Sequence, residues 1–449
     1  MLAQRIMIPS EVRKVLLQLN QAGFAAYAVG GCVRDSLLRR MPQDWDICTS
    51  ALPEQTQACF ADDRVLLTGI RYGTVTVLRG AEAYEITTFR AEAGYQDARH
   101  PEEVRFLPSL HGDLMRRDFT VNAMAADAEG EITDLFGGRE DLQSGVIRCV
   151  GVPEERFEED ALRILRGLRF AARLGFAVAP ETAAAIHCLR QRLCAVAPER
   201  LRKELSGLLT GCGASAVLRE FSDVICVLIP ELAPCVGFRQ YNPHHALDVW
   251  EHTLAALEDS EAKEPLRLAV LLHDIGKPPA FSMDKQLVGH FYGHAVIGGA
   301  MTERILRRLR YDHETVQTVS ELVRLHDRIH EPVQERQMKR LLSKHGEHML
   351  RQLLRLRRAD LLGKKTQDPE EIERLTEEAE TLLERVSQQC VTLRQLSVTG
   401  RDLLALGVPE GPQIGSLLQR LLDAVLSGTL PNARDALLDA ARQWAKCTN

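Results

Sequence analysis

Three things are missing from this sequence, and each absence narrows the reading. Cysteine occurs eleven times but never as Cys-x-x-Cys. Scattered thiols without ligand spacing exclude a thiol-ligated metal motif and fit reduced cysteines in a cytosol. No apolar leader is expected, because the first twenty residues carry Arg5, Arg13 and Lys14 spread through them and no apolar core. The longest apolar run, residues 22–33, is interrupted by Gly23, Gly30 and Gly31 and is too short to span a bilayer. Nor is there an excess of basic charge, since the net charge is −6. Any nucleic-acid contact must come from local Arg/Lys clusters. A soluble, cytoplasmic protein without a membrane partner is expected.

What is present is a chain of 449 residues, too long for one core, with 45% hydrophobic and 26% charged residues. Ser10 can cap a helix that places Val12, Val15, Leu16 and Leu19 on one face and ends near Gly23. Residues 24–29, 45–48, 73–78 and 84–89 are short, β-branched or aromatic, and bounded by Gly, Pro or Asp, so they read as strands of one sheet. After about Asp134 the strand signals nearly vanish, and amphipathic helices follow to the end. Nine of the 14 histidines fall between His244 and His330, marking a separate module. Residues 368–389 read as an acidic helix, a solvated spacer. The expected fold is α+β, a small mixed-sheet head followed by an all-helical remainder. Expected domains are a catalytic head over 1–145, a helical neck and body over 146–240, a metal-binding module over 241–365 and a helical tail over 366–449.

In the head, Gly30-Gly31 follows a strand and opens a helix. Paired glycines let backbone N–H groups approach a phosphate, and Arg34 adds a cationic fork. An ordinary tight turn explains the glycines equally well. Further on, Asp44-Trp45-Asp46 is expected inside a strand, where alternation puts both carboxylates on one face. Two such carboxylates repel unless a cation lies between them or one stays protonated. Glu85, opening a later strand, is a candidate third carboxylate. Magnesium held by two acids and a triphosphate would activate an attacking hydroxyl and neutralise the leaving pyrophosphate. Two solvent-facing aspartates are the ordinary alternative. Arg116-Arg117-Asp118-Phe119-Thr120 sets a polar site on an otherwise packed element.

Residues 159–170 read as one helix. Arg163, Arg166, Arg169 and Arg173 recur at helical spacing as a cationic stripe, with Leu165, Leu168 and Ala172 on another face. A solvated face with internal ion pairs is the ordinary alternative. The functional reading rests on donor and acceptor geometry. Adenine and cytosine each offer an amino donor beside a ring-nitrogen acceptor, whereas guanine and uracil present the reverse. An Asp160–Arg163 pair would accept the first two bases and leave unpaired groups against the others.

The set Gly30-Gly31-x-x-Arg34-Asp35, Asp44-x-Asp46, Arg116-Arg117-Asp118-Phe119-Thr120 and Glu159-Asp160-x-x-Arg163 resembles, in that order, the class II CCA-adding enzyme and bacterial poly(A) polymerase family, whose head is polymerase-β-like. The resemblance covers roughly the first half of the chain. It implies that Gly31 and Arg34 hold triphosphate, Asp44 and Asp46 hold magnesium, and Arg117 contacts the nucleotide. It further implies that Asp160 and Arg163 select the base without a template, and that Arg166 and Arg169 match other nucleotide-contacting positions. Residues 90–101 are polar and glycine-containing, hence a loop. Relatives that add only the two cytosines tend to lack it, so its presence favours full CCA or terminal A addition. The expected partners are tRNA, ATP and CTP. Residues 198–205 resemble the motif that follows the neck in that family.

In the histidine module, His252 lies in a helix over 247–257, and an apolar helix over 266–272 ends in His273-Asp274-Ile275-Gly276-Lys277-Pro278. His294, His326 and Asp360 follow on later helices. Together they resemble the HD phosphohydrolase superfamily. The resemblance implies that His252, His273, Asp274 and Asp360 bind a divalent transition metal, with His294 and His326 as candidates for a second ion. It also implies cyclic phosphodiesterase or phosphatase activity; a degenerate platform for RNA is the alternative. The tail, from Thr399 to Asn432, resembles that of HD-bearing bacterial members. Contact with a tRNA arm there would be aided by Arg307, Arg308 and Arg310 or by Arg355, Arg357 and Arg358. The expected activity is CTP/ATP:tRNA nucleotidyl transfer. The alternatives are a poly(A) polymerase or A-adding enzyme, and an HD phosphohydrolase acting on RNA ends.

Overall fold

The computed structural model describes residues 4–80, 82–95, 101–106, 109–242, 246–365 and 368–446. The chain divides into two compact units, Met1–Ala233 and Pro234–Asn449. No helix among the described residues is long and apolar enough to cross a membrane.

The first unit opens with the helix Ser10–Gln21, which buries Val12, Val15, Leu16 and Leu19 as their spacing requires. Ser10 is already helical and makes no capping bond; Pro9 occupies the cap position. The strands are β1 (Ala26–Val29), β2 (Ile47–Thr49), β3 (Arg64–Leu66), β4 (Thr74–Arg79), β5 (Glu82–Thr88), β6 (Arg90–Tyr95), β7 (Pro101–Phe106), β8 (Met124–Ala126) and β9 (Ile132–Asp134). Seven form one sheet in the order β3-β4-β5-β2-β1-β8-β9. It is mixed: β2 runs parallel to β5, while its other pairings are antiparallel. One face buries Val29, Cys48 and Ala125 against Leu114 and Phe89. The helix Leu110–Met115, which carries Leu114, therefore packs on the sheet face to which Cys48 and Ala125 point.

Two expectations about the head are corrected. Asp44-Trp45-Asp46 precedes β2 rather than lying within it, although the Asp46 carbonyl still accepts from the Val29 N–H at 2.9 Å. The expected loop over 90–101 is largely β6 and the start of β7, paired antiparallel with Arg90 opposite Phe106. Backbone pairing outweighed the polar, glycine-containing composition there. Residues 96–100 of that segment lie outside the described residues.

The neck is also not one helix. Pro153–Glu159 ends at Asp160, whose backbone is extended (φ −141°, ψ 102°), and a second helix runs Leu162–Leu174. The Asp160 Oδ1 accepts from the Leu162 N–H at 3.0 Å, so the aspartate caps the helix that follows it. Leu165, Leu168 and Ala172 are fully buried. Three of the stripe arginines are ion-paired: Arg163 with Glu159 at 2.8 Å, Arg166 with Asp118 at 2.7 Å and Arg169 with Glu204 at 2.6 Å. Glu159 one turn back, with Asp118 and Glu204 from other elements, turns the expected stripe into a set of internal pairs.

The second unit is helical apart from a hairpin of Ser282–Met283 with Gly289–His290. The acidic helix Pro369–Ser387 is not a spacer. It buries Ile372, Ala379, Leu383 and Val386 and packs on the long helix Glu335–Gly363. The arginines suggested as tRNA contacts are partly spent on neighbours: Arg307 on Glu303, Arg355 on Glu261, Arg357 on Glu331 and Arg358 on Glu373.

Asp118 ties the head to the neck. Burial would raise its carboxyl, but the charge and hydrogen bonds of Arg166, with help from Asn122, bring it down to about 2. A carboxyl depressed below its unfolded value of about 3.9 contributes stability above that pH, and the contribution is lost as pH falls through about 2. Asp118→Ala should cost about 2 kcal/mol at neutral pH, discounted because Arg166 is 37% exposed. Urea unfolding of wild type and variant at neutral pH and near pH 2 measures this. A deficit equally large in acid excludes the carboxylate as its source.

Candidate functional site

In the first unit the candidate site gathers where β1 turns into the helix Gly31–Leu37. Gly30 adopts φ +84°, and a Cβ there would lie 3.0 Å from Nη1 of Arg117. The positive φ strains any side chain there, and a Cβ would crowd the guanidinium that closes over the turn. Asp44 and Asp46 lie exposed on the segment entering β2. The parallel register places Ile47 opposite Ile86. Asp46 and Glu85, each one residue earlier, therefore share a face of adjacent strands. Partial desolvation, then the like charges of Asp44 and Glu85, push the Asp46 carboxyl above its ordinary value, with Arg117 opposing. Glu85 lies within β5 rather than opening it. Asp44 and Glu85 thus lie near enough to Asp46 for their charges to be felt, the electrostatic situation that a cation relieves.

The arginines are placed by residues that periodicity did not single out. Asp113, fully buried on Leu110–Met115, accepts from Arg116 at 2.7 Å and Arg117 at 3.3 Å. The three-and-four spacing back from Arg116 and Arg117 was the available signal. Arg34, only 7% exposed, donates to Asn122 Oδ1 at 2.6 Å and to Asp35 at 2.9 Å. Its guanidinium also faces the Phe170 ring at 5.2 Å, as those of Arg166 and Arg169 do at 5.8 and 4.6 Å.

Asp160 and Arg163 are neighbours, but their side chains bond to other groups. Asp160 Oδ2 accepts from Arg200 at 2.8 Å. Arg163 donates to Glu159 at 2.8 Å and to the Arg116 carbonyl at 3.1 Å. Arg166 holds Asp118 and Arg169 holds Glu204, so both expected nucleotide contacts also serve as struts.

In the second unit all six expected ligands come together. His252 lies in Val249–Glu258, His273 and Asp274 follow Glu264–Leu272, and Asp360 lies in Glu335–Gly363. His294 begins the helix His294–Arg308, and His326 follows His313–Leu325. His252 Nε2 lies 3.2 Å from His273 Nε2 and 3.0 Å from Asp360 Oδ1. Asp274 is shared: its Oδ2 lies 3.2 Å from His273, and its Oδ1 lies 3.6 and 3.7 Å from His294 and His326. Gly276 makes this possible, because a Cβ there would stand 2.1 Å from the His294 carbonyl oxygen.

The imidazoles fit a cation on their own chemistry. Nδ1 of His294 and of His326 faces a backbone carbonyl, at 2.9 and 2.7 Å respectively. A carbonyl only accepts, so each Nδ1 carries hydrogen and each neutral ring turns a lone pair outward at Nε2. Those two Nε2 atoms are 3.1 Å apart. Two facing lone pairs need a proton or a metal between them, and burial holds His294 below its ordinary value. Burial alone would raise Asp274 and Asp360. The imidazoles with Lys277 and Lys364 outweigh it, and both carboxyls lie well below the usual range. Asp274, His294, His326 and Asp360 line a cavity of about 500 Å³ that Lys277 and Lys364 also face.

Residues 26–148 match the family model of the poly A polymerase head domain. Residues 175–235 match that of a probable RNA- and SrmB-binding site of polymerase A, and 291–441 that of a putative tRNA nucleotidyltransferase domain 2. The CCA-adding enzyme of Lactobacillus delbrueckii subsp. bulgaricus is 35% identical, with 96% of each chain covered. That of Levilactobacillus brevis is 36% identical over 95% of this chain and 96% of its own. Among solved structures, the Bacillus stearothermophilus CCA-adding enzyme in complex with CTP superposes with a TM-score of 0.71 at 29% identity, covering 98% of this chain and 99% of that one. A Thermotoga maritima CCA-adding enzyme complexed with tRNA shares the fold, with a TM-score of 0.62 at 19% identity over 97% and 96% of the two chains. With the carboxylate centre and glycine turn set in a mixed-sheet head, this likeness over nearly the whole length makes the chain a member of the CCA-adding enzyme family, the tRNA nucleotidyltransferases.

Proposed function

We propose that the chain adds CCA to tRNA 3′ ends from CTP and ATP, with chemistry in the head and base choice made by the protein. The observation that carries the reading is that Asp46 and Glu85 share a face of adjacent strands, with the charges of Asp44 and Arg117 acting on Asp46 beside the Gly30 turn. Asp44 and Asp46 would hold magnesium, with Glu85 as a third oxygen donor. Bound there, the ion supplies charge neutralisation at the triphosphate and a more acidic hydroxyl. Gly31 keeps the backbone open to phosphate, while Arg34 and Arg117 bring positive charge to it. The terminal 3′ oxygen of the tRNA forms the new bond to the α-phosphorus and gives up its proton. Pyrophosphate leaves with the electrons of the broken α–β bridge.

Base selection falls to Asp160 and Arg163. Arg163 must exchange Glu159 for the base, and Arg200 holds the Asp160 carboxylate while it accepts from an amino group. Poly(A) or A-only addition would use the same residues, so the nucleotide-specific outcome on tRNA lacking CCA decides among them.

A second reading applies to the other unit. Asp274 shared between two imidazole groups supports a divalent transition-metal centre that hydrolyses a phosphate ester. His252, His273, Asp274 and Asp360 would hold one ion, and Asp274, His294 and His326 a second.

Asp44→Asn or Asp46→Asn should reduce nucleotide transfer by about three orders of magnitude or more while tRNA affinity stays near wild type. Normal turnover by either variant would remove the carboxylate centre from the mechanism.

Asp160→Ala should relax base choice. Loss of a hydrogen bond to a charged group is worth about 1.5–3 kcal/mol, so UTP and GTP incorporation should rise roughly ten- to a hundredfold relative to CTP and ATP. Single-turnover assays with each triphosphate read the ratio. A uniform fall for all four would make Asp160 a helix cap only.

His273→Ala should remove bound metal and any phosphohydrolase activity without slowing CCA addition. Metal analysis of the purified variant is the direct measurement, and unchanged metal content would refute the ligand assignment.

A further inference from the structure

The imidazole cavity does not end at its metal ligands. His330 and Glu331 form part of its wall and are also the wall of a second, adjoining groove of about 570 Å³. That groove is lined by Arg328, Arg336 and Arg340, with Gln334 and Gln337 between them. Arg336 and Arg340 are one helical turn apart on Glu335–Gly363, hence on one face. Gln337 donates to the Arg328 carbonyl, which fixes the preceding loop to that helix.

The charge of this groove is uncompensated. All three arginines are exposed, and among the described residues none of them pairs with a carboxylate. Other arginines of the unit are paired, including Arg351 with Glu347, Arg355 with Glu261 and Arg385 with Glu335. The groove's one acid, Glu331, is neutralised by the buried Arg357. A polyanion passing from the groove into the cavity therefore meets Glu331 already neutralised, and the cavity's unpaired acid, Asp327, does not line the groove. At the far end Lys277 and Lys364 stand beside the metal-ligating carboxylates.

A small phosphate ester or a free nucleotide is accommodated by the 500 Å³ cavity alone. Three further cations in a continuous groove, interleaved with amide side chains, suit a ligand with further phosphates at a regular repeat. We propose that the imidazole centre acts on the end of a single-stranded oligoribonucleotide whose upstream phosphates lie on Arg328, Arg336 and Arg340. This rests on reading the centre as a metal phosphohydrolase.

The test uses the full-length protein and a single-stranded RNA of about ten nucleotides carrying 4-thiouridine near its 3′ end. Photocrosslinks should map to residues 326–341. The triple variant R328Q/R336Q/R340Q should lose roughly tenfold or more of the crosslink. The slope of log binding constant against log salt should shrink by about 2, from three phosphate contacts at about 0.7 each. Binding of AMP and inorganic phosphate should be unchanged, as should CCA addition to tRNA. Three results would overturn the proposal: crosslinks mapping elsewhere, a variant that retains them, or an acidic peptide displacing the RNA as well as unlabelled RNA does. Slower CCA addition by the variant with short-RNA crosslinks intact would also overturn it, by making the groove a tRNA-body contact. Metal content and hydrolysis of a simple phosphodiester are measured separately. If they fail while the crosslinks hold, the fault lies in the reading of the centre and not in the groove.

Discussion

A chain of polar contacts running from neck to glycine turn organises the first unit, and Asp118 is its pivot. Arg166 donates to Asp118 at 2.8 Å, Asn122 donates to the same carboxylate at 3.2 Å, and Arg34 donates to Asn122 at 2.6 Å. Each partner satisfies the next, so no member can move without stranding a buried polar group. The Phe119 N–H also donates to Asp118, and the Phe119 ring meets Phe170 edge-on at 5.9 Å. Phe170 in turn presents its ring to three guanidinium groups. Arg34 of the head is thus positioned by the helix that carries Arg163, so the roles proposed for the two residues would couple triphosphate binding to base choice by contact alone.

The same network shows where sequence reasoning was sufficient and where it failed. The proposed carboxylate centre was legible from the Asp-x-Asp spacing, although strand alternation, the expected reason, does not apply. Asp44 and Asp46 precede β2, and Asp46 reaches the face of Glu85 through the register of the strand that follows it. The imidazole set was legible because His-Asp at a helix end, with distant His and Asp on helices, is a rare combination. The arginine stripe misled for a physical reason. Helical spacing reports which residues share a face, but Asp118 and Glu204, the acids that fill that face, arrive from 48 and 35 residues away. The break at Asp160 was hidden because residues 159–170 contain no proline and a single interior glycine; a capping aspartate, not a breaker residue, ends one helix and begins the next. The hairpin of β6 and β7 was hidden by composition, since its strands gain more from mutual backbone bonding than their side chains advertise.

The second unit depends on a close approach rather than a polar chain. Gly276 lets the start of His294–Arg308 rest against the turn after Asp274. That contact brings His294 within reach of a carboxylate already shared with His273. The preceding helix Glu264–Leu272 buries Leu266, Leu268, Val270 and Leu272, so the His-Asp pair issues from a rigid apolar rod. Charged ligands at the end of such a rod cost little further ordering when a cation arrives.

The two centres ask different things of a cation. At Asp46 the surroundings are anionic, and its carboxyl is raised by desolvation and like charge. Such a site holds no ion-specific cage of its own, and it suits a hard ion that arrives with triphosphate oxygens completing its shell. At Asp274 and Asp360 the surroundings are cationic or imidazole-rich, and both carboxyls are depressed. Lys277 and Lys364 lie 2.7 and 3.1 Å from those acids, so a metal held there would compete with ammonium contacts. Both lysines line the cavity, where they would also meet a bound phosphate. Soft nitrogen donors with preset tautomers favour a resident transition metal over magnesium. On the proposed reading, one chain would hold a metal that comes with substrate in one unit and a resident metal in the other, because the carboxyls are raised at Asp46 and depressed at Asp274 and Asp360.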